Sequence, residues 1–141
     1  MKHTAPYKEF PGPQGAKFFA PVLNVQISRL DQNAPRTKRF EVRIDSGASC
    51  CVFHFSIGAH IGLDLKSGEL ERTMGISGVP SDTYLHDILL YVPGGPVRIR
   101  AAFCDNLPLG GLLGMDGFFS NFRLTFDPTA KHCELERVHQ T

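Results

Sequence analysis

Phe40-Glu41-Val42-Arg43-Ile44-Asp45-Ser46-Gly47-Ala48-Ser49-Cys50-Cys51-Val52 is the stretch that decides the fold. Phe40, Val42 and Ile44 alternate with Glu41 and Arg43, which is the period of a half-buried strand. That strand then delivers an acid, Asp45, and the chain returns at once to apolar residues. An unpaired carboxylate in a core is expensive unless it is hydrogen bonded or protonated, so Asp45 needs an explanation. Gly47 lets the backbone turn tightly and approach a ligand closely, and the Ser46 hydroxyl can bond nearby main chain. One account is an Asx-type turn that ends a strand. The other is a carboxylate held for chemistry, and the tripeptide alone does not choose between them.

Outward from this stretch the chain reads as a series of short strands. Pro21 to Arg29, Arg39 to Asp45, Tyr84 to Val92, Val97 to Phe103, Phe122 to Phe126 and His132 to Val138 are rich in β-branched or aromatic residues. Asp31 to Pro35, Pro93-Gly94-Gly95-Pro96 and Asp127-Pro128-Thr129 supply the turns between them. Helical candidates are few and short, at Phe55 to Gly62 and Met115 to Phe119, and there is no internal repeat. Pro6, Pro11, Gly12, Pro13 and Gly15 break the opening segment, so residues 1–16 are expected to form a flexible arm and residues 17–141 the domain. The expected class is mainly β, a barrel or sandwich.

Composition narrows the functional classes. The 141 residues are 42% hydrophobic, enough for one compact domain. A formal net charge of +1 without a long basic or acidic run gives no electrostatic footprint for nucleic acid. No stretch approaches the roughly 18 apolar residues of a membrane span, and Met1 to Gly15 lacks the apolar core of a signal peptide. Cys50, Cys51, Cys104 and Cys133 match neither zinc spacing nor a disulfide framework, and reduced thiols agree with a cytoplasmic setting.

Two further segments bear on Asp45. Met74-Gly75-Ile76-Ser77-Gly78-Val79 places glycines around a tip between two strand-like stretches, as a flexible hairpin over a cleft requires. Leu112-Leu113-Gly114-Met115-Asp116-Gly117-Phe118-Phe119 passes from an apolar strand through glycine into an expected helical turn. Either could be ordinary structure taken alone.

In this order, an apolar strand with Asp-Ser-Gly-Ala, a glycine-rich hairpin and Leu-Leu-Gly before a helix, the chain resembles the retropepsin-like aspartic peptidases, single-lobed and homodimeric. The likeness is to the bacterial and cellular members, and it includes Ile61-Gly62-Leu63 and the run from Phe122 to Asp127; it spans Val22 to Val138. It implies a closed β-barrel with one short C-terminal helix. Asp45 would be the catalytic aspartate, Ser46 would steady the loop across a dimer axis, and Gly47 would offer its carbonyl to a substrate main chain. Ile76, Ser77 and Gly78 would form the tip of a flap that moves on Gly75 and Gly78, and Ala48 and Leu112 would line side-chain subsites. Viral members pair an acid two residues after the motif glycine with an arginine after the later glycine; here those places hold Ser49 and Met115.

The chemistry that follows is peptide hydrolysis without metal or cofactor. One carboxylate takes a proton from water while a carboxylic acid polarises the carbonyl. This chain carries one such motif, since Asp116-Gly117 lacks the intervening Ser or Thr and Asp82-Thr83 is followed by Tyr84. A second copy must therefore supply the second acid. The histidines show no metal-ligand spacing, and Cys50 and Cys51 are expected to pack rather than to attack a substrate. The competing reading is a non-catalytic module on the same fold that holds an extended peptide by strand addition. A third is a peptidase that first removes its own Pro/Gly-rich start.

Overall fold

The computed structural model describes residues 2–31, 33–74, 80–107 and 110–138. Its strands are β1 (Lys2–Pro11), β2 (Lys17–Ser28), β3 (Phe40–Ile44), β4 (Val52–His54), β5 (Glu69–Met74), β6 (Pro80–Val92), β7 (Gly95–Cys104), β8 (Gly111–Leu113), β9 (Phe122–Asp127) and β10 (His132–Arg137). Between them lie α1 (Phe55–His60) and short 3-10 turns at Pro13–Gly15 and Leu65–Ser67. The mainly β class expected from the sequence is what the molecule shows. The sheet runs β5-β6-β7-β4-β8-β3-β2-β1-β10-β9, and β2 also pairs with β6, which brings the sheet back on itself.

Inside this curved sheet lie Val25, Ile27, Val42, Ile44, Phe53, Ile88, Leu90, Phe103, Leu113 and Phe118, all nearly inaccessible to solvent. Each such side chain contributes roughly 1.5–3 kcal/mol by leaving water. The alternation read in Phe40, Val42 and Ile44 is what turns β3 toward this core: Val42 is 1% and Ile44 4% exposed. Phe53 is central, with its ring 5.8 Å from that of Phe103 and 6.0 Å from that of Phe40.

Two expectations change. Residues 2–11, expected to form a flexible arm, are a strand: Lys2 to Pro6 pair with β10 and Tyr7 to Pro11 with β2. Each half of β1 meets one neighbouring strand, so a proline that lacks an N–H on the free side costs no ladder bond. The segment expected as a C-terminal helix, Met115 to Phe119, is instead a chain of turns, with Phe119 N–H donating to Gly114 O and Ser120 N–H to Met115 O. Gly117 at φ +106° interrupts any helix there. The only α-helix among the described residues is α1.

Candidate active site

β3 places Asp45. Its neighbours are β2, with Val22 opposite Arg43, and β8, which runs parallel with Ile44 opposite Leu113. The Asp45 N–H donates to Leu113 O at 2.9 Å, so the ladder continues through the acid. Immediately beyond, the chain turns: Gly47 N–H donates to Asp45 Oδ1 at 2.8 Å, and Ala48 N–H to the Asp45 carbonyl at 3.2 Å. The Asx-type turn is thus real, and it fixes one carboxylate oxygen. Asp45 is half-buried rather than in the core, while Ser46 and Gly47 are exposed.

A second connection steadies the loop from the other side. Met115 N–H donates to Ala48 O at 2.8 Å and Asp116 N–H to Ser49 O at 2.9 Å, and Cys50 and Asp116 form a parallel bridge. Residues 48–50 and 114–116 therefore lie flush, an approach that requires a glycine. A Cβ on Gly114 would stand 2.7 Å from Ala48 O and would overlap Cys50 O. This is the physical reason for glycine in Leu112-Leu113-Gly114.

The structure brings Asp45, Ser46, Gly47 and Ala48 together with Leu112. Leu112 lies opposite Arg43 in the parallel pair, so both half-buried side chains stand on the face that continues to Asp45, whereas Leu113 and Ile44 face the core. Gly75, Ile76, Ser77 and Gly78 lie outside the described residues. The strands that lead to them are paired from Glu69 opposite Leu85 to Met74 opposite Pro80. β5 also reaches the Asp45 loop electrostatically: burial pushes the Cys50 thiol pKa up, and the carboxylates of Glu71 and Asp116 push it further. Burial pushes the Cys51 thiol up to about 12. Neither setting favours a thiolate nucleophile.

A cavity of about 700 Å³ lies away from this loop, and one of about 610 Å³ reaches Asp116 and Gly117 beside it; neither is lined by Asp45. Sequence reasoning passed over Arg43, although the alternation of β3 already put it on the same face as Asp45.

Strand order, the parallel β3–β8 pair and the Asp45 loop define a retropepsin-like fold. The solved structures agree. A retropepsin-like aspartic protease from Rickettsia conorii superposes with a TM-score of 0.66, at 16% identity over 96% of this chain and 89% of that one. The retroviral protease-like domain of Ddi1 from Leishmania major gives a TM-score of 0.52, at 13% identity over 75% of this chain and 81% of that one. No protein-family model matches the sequence, and comparison with the curated proteins gives no match.

Proposed function

We propose that the chain is an aspartic endopeptidase in which two copies pair and the two Asp45 carboxyl groups jointly activate a water molecule. The observation that carries this reading is the setting of Asp45. Its backbone is clamped by Leu113, one carboxylate oxygen is held by Gly47 N–H, and among the described residues the other oxygen takes no hydrogen bond. The fixed acid stands half-exposed and lines neither the 700 Å³ nor the 610 Å³ cavity. Such a group is positioned but incomplete, and a two-fold axis beside it would add the missing acid.

In the pair, two carboxyl groups about 3 Å apart do not both ionise readily, so one stays protonated. The ionised partner takes a proton from water as the oxygen attacks the peptide carbonyl, and the protonated partner hydrogen-bonds the carbonyl oxygen as it gains charge. Ser46 would steady the two loops against each other, and Gly47 would offer its carbonyl to the peptide main chain. Ala48 and Leu112 would form apolar walls, and Gly75, Ile76, Ser77 and Gly78 a flap. The aspartic-protease character of the Rickettsia conorii neighbour supports the same reading.

The test is cleavage of a peptide library by the purified chain at mildly acidic pH, with and without pepstatin, alongside sedimentation of the same sample. Pepstatin-sensitive cleavage by a dimer is expected. A dimer that binds extended peptides without cutting them would establish the non-catalytic module instead.

A further inference from the structure

Among the described residues, Arg43 is the one charged β3 residue on the Asp45 face that makes no ion pair, Glu41 being paired with Lys8. Two residues of extended chain separate it from Asp45, roughly 6.6 Å along the strand. Its side chain does not stand straight up from β3. Arg43 is opposite Val22 in the ladder, yet its guanidinium lies 4.2 Å from the ring centre of Phe10 and 5.3 Å from that of Phe18. Because β2 runs antiparallel to β3, Phe18 lies beyond Val22 in the direction in which β3 continues to Asp45. The guanidinium therefore leans across β2 onto the β1–β2 pair, displaced along the direction in which β3 continues to Asp45.

Phe10 and Phe18 form a platform for it: they are directly opposite in the β1–β2 ladder, and their rings stack at 5.6 Å. Phe18 is 41% exposed, so the platform opens to solvent. The nearby carboxylates are already engaged, Glu41 with Lys8 at 2.9 Å and Glu9 with Lys17 at 3.4 Å. Among the described residues Arg43 makes no ion pair, and its Nε is buried without an acceptor. A guanidinium partly desolvated on aromatic rings keeps its charge and its planar fork of donors, the arrangement that takes a carboxylate in two parallel hydrogen bonds.

We propose that Arg43 is a specificity-determining residue that receives the side-chain carboxylate of a Glu or Asp lying within a residue or two of the peptide bond presented to Asp45. This rests on the peptidase reading for the fate of the peptide, while the recognition is itself a binding event.

The test uses acetylated, amidated peptides in one extended Ala/Leu/Phe frame that carries Glu, Gln or Lys at each position in turn. Wild type should cleave the best Glu peptide on the order of tenfold faster in kcat/KM than its Gln twin, the size of one charge-assisted hydrogen-bonded contact. Arg43→Gln should bring that ratio near one, and Arg43→Glu should favour the Lys peptide. Arg43→Lys, which keeps the charge but not the fork, should leave an intermediate ratio and serves if Arg43→Gln does not fold. Parity in wild type, or a Glu preference that survives Arg43→Gln, overturns the proposal. If wild type cleaves nothing, the peptidase reading fails, and fluorescence polarisation with labelled peptides from the same set decides Arg43 by the same ratio. Weakened sedimentation of Arg43→Gln as a dimer with an unchanged Glu/Gln ratio would make Arg43 an assembly contact and also overturn it.

Discussion

Replacing Gly114 by alanine tests how the Asp45 loop is built. The added Cβ would lie 2.7 Å from both the Ala48 carbonyl oxygen and the Cys50 carbonyl carbon, and closer still to the Cys50 oxygen. These are backbone atoms, so no rotamer change relieves the contact. The 48–50 segment and β8 must move apart, which strains the Met115 N–H to Ala48 O and Asp116 N–H to Ser49 O bonds. Overpacking costs about 1–3 kcal/mol. Two weakened hydrogen bonds add about 1 kcal/mol each. A loss of about 3–5 kcal/mol follows, a large share of a stability of roughly 5–15 kcal/mol. At roughly 3–5 °C per kcal/mol, the melting temperature should fall by about 10–20 °C. Gly95→Ala is the control, because Gly95 sits at φ +115° with nothing within 4 Å of its would-be Cβ. Its cost is conformational alone, about 1–2 kcal/mol. Denaturant midpoints read both variants. A Gly114→Ala loss no greater than that of Gly95→Ala would refute the close approach.

Asp45→Asn should keep the fold within about 1 kcal/mol, because the amide oxygen can still accept from Gly47 N–H, yet lower kcat by on the order of 10²–10⁴; wild-type turnover in this variant would remove Asp45 from the chemistry. Native-state alkylation with iodoacetamide at mildly alkaline pH should reach half-buried Cys50 before buried Cys51, Cys104 and Cys133, as peptide mapping would show, and first modification at Cys51 would contradict its burial. The Cys51 shift also sets a sign for stability against pH. Its folded-state value, about 12, lies above the unfolded thiol value, so the folded chain retains the proton longer and this contribution is present below about pH 8.5 and lost as pH rises from there toward 12. Cys51→Ala should flatten that alkaline loss in denaturant titrations, and an unchanged slope would sink the assignment. Gly78→Val should impair turnover more than melting temperature if the segment serves as a flap; the reverse would mark it as a structural turn.

What the sequence makes legible is what local period encodes. β3 and its acid stand out because three inward apolar residues alternate with two charged ones, and β6, β7, β9 and β10 are long enough for the same signal. β4 and β8 have three residues each, too short for any period, and they exist because neighbouring strands pair with them on both sides. β1 was hidden by its prolines, whose missing donors matter only where a partner strand needs them. The Met115 to Phe119 turns looked helical because apolar spacing does not reveal that Gly117 takes a positive φ. Around Asp45, the tight turn could be read from Asp45-Ser46-Gly47, whereas a chemical role for it rested on the resemblance, and the need for Gly114 shows only in the close approach of residues 48–50. The neighbourhood of Arg43 could not be read, because Phe10 and Phe18 come to it only through the β1–β2 and β2–β3 ladders.

The same distinction explains why one chain presents an acid and not yet a mechanism. A carboxylate that merely ended a strand would need only the Gly47 N–H, and Asp45 has that bond. The loop around it is also tied to β8 and to residues 115–116 by three further backbone hydrogen bonds, and glycine is kept at 114 where any side chain would force these apart. Rigidity of this kind matters when a reacting atom must be held in place, since catalysis depends on pre-set geometry more than on the mere presence of a group. Yet a lone ionised carboxylate cannot both accept a proton from water and donate a hydrogen bond to a carbonyl. In the proposed peptidase the protonated partner would come from association, and the surfaces that bring two Asp45 loops together would then decide activity. Ser49 and Met115 stand where viral members carry the acid and the arginine, so a pair of these chains would lack that ion pair. If two copies pair as proposed, without that ion pair their affinity should be less sensitive to salt than an ion-pair lock would make it, as sedimentation across a salt series would show.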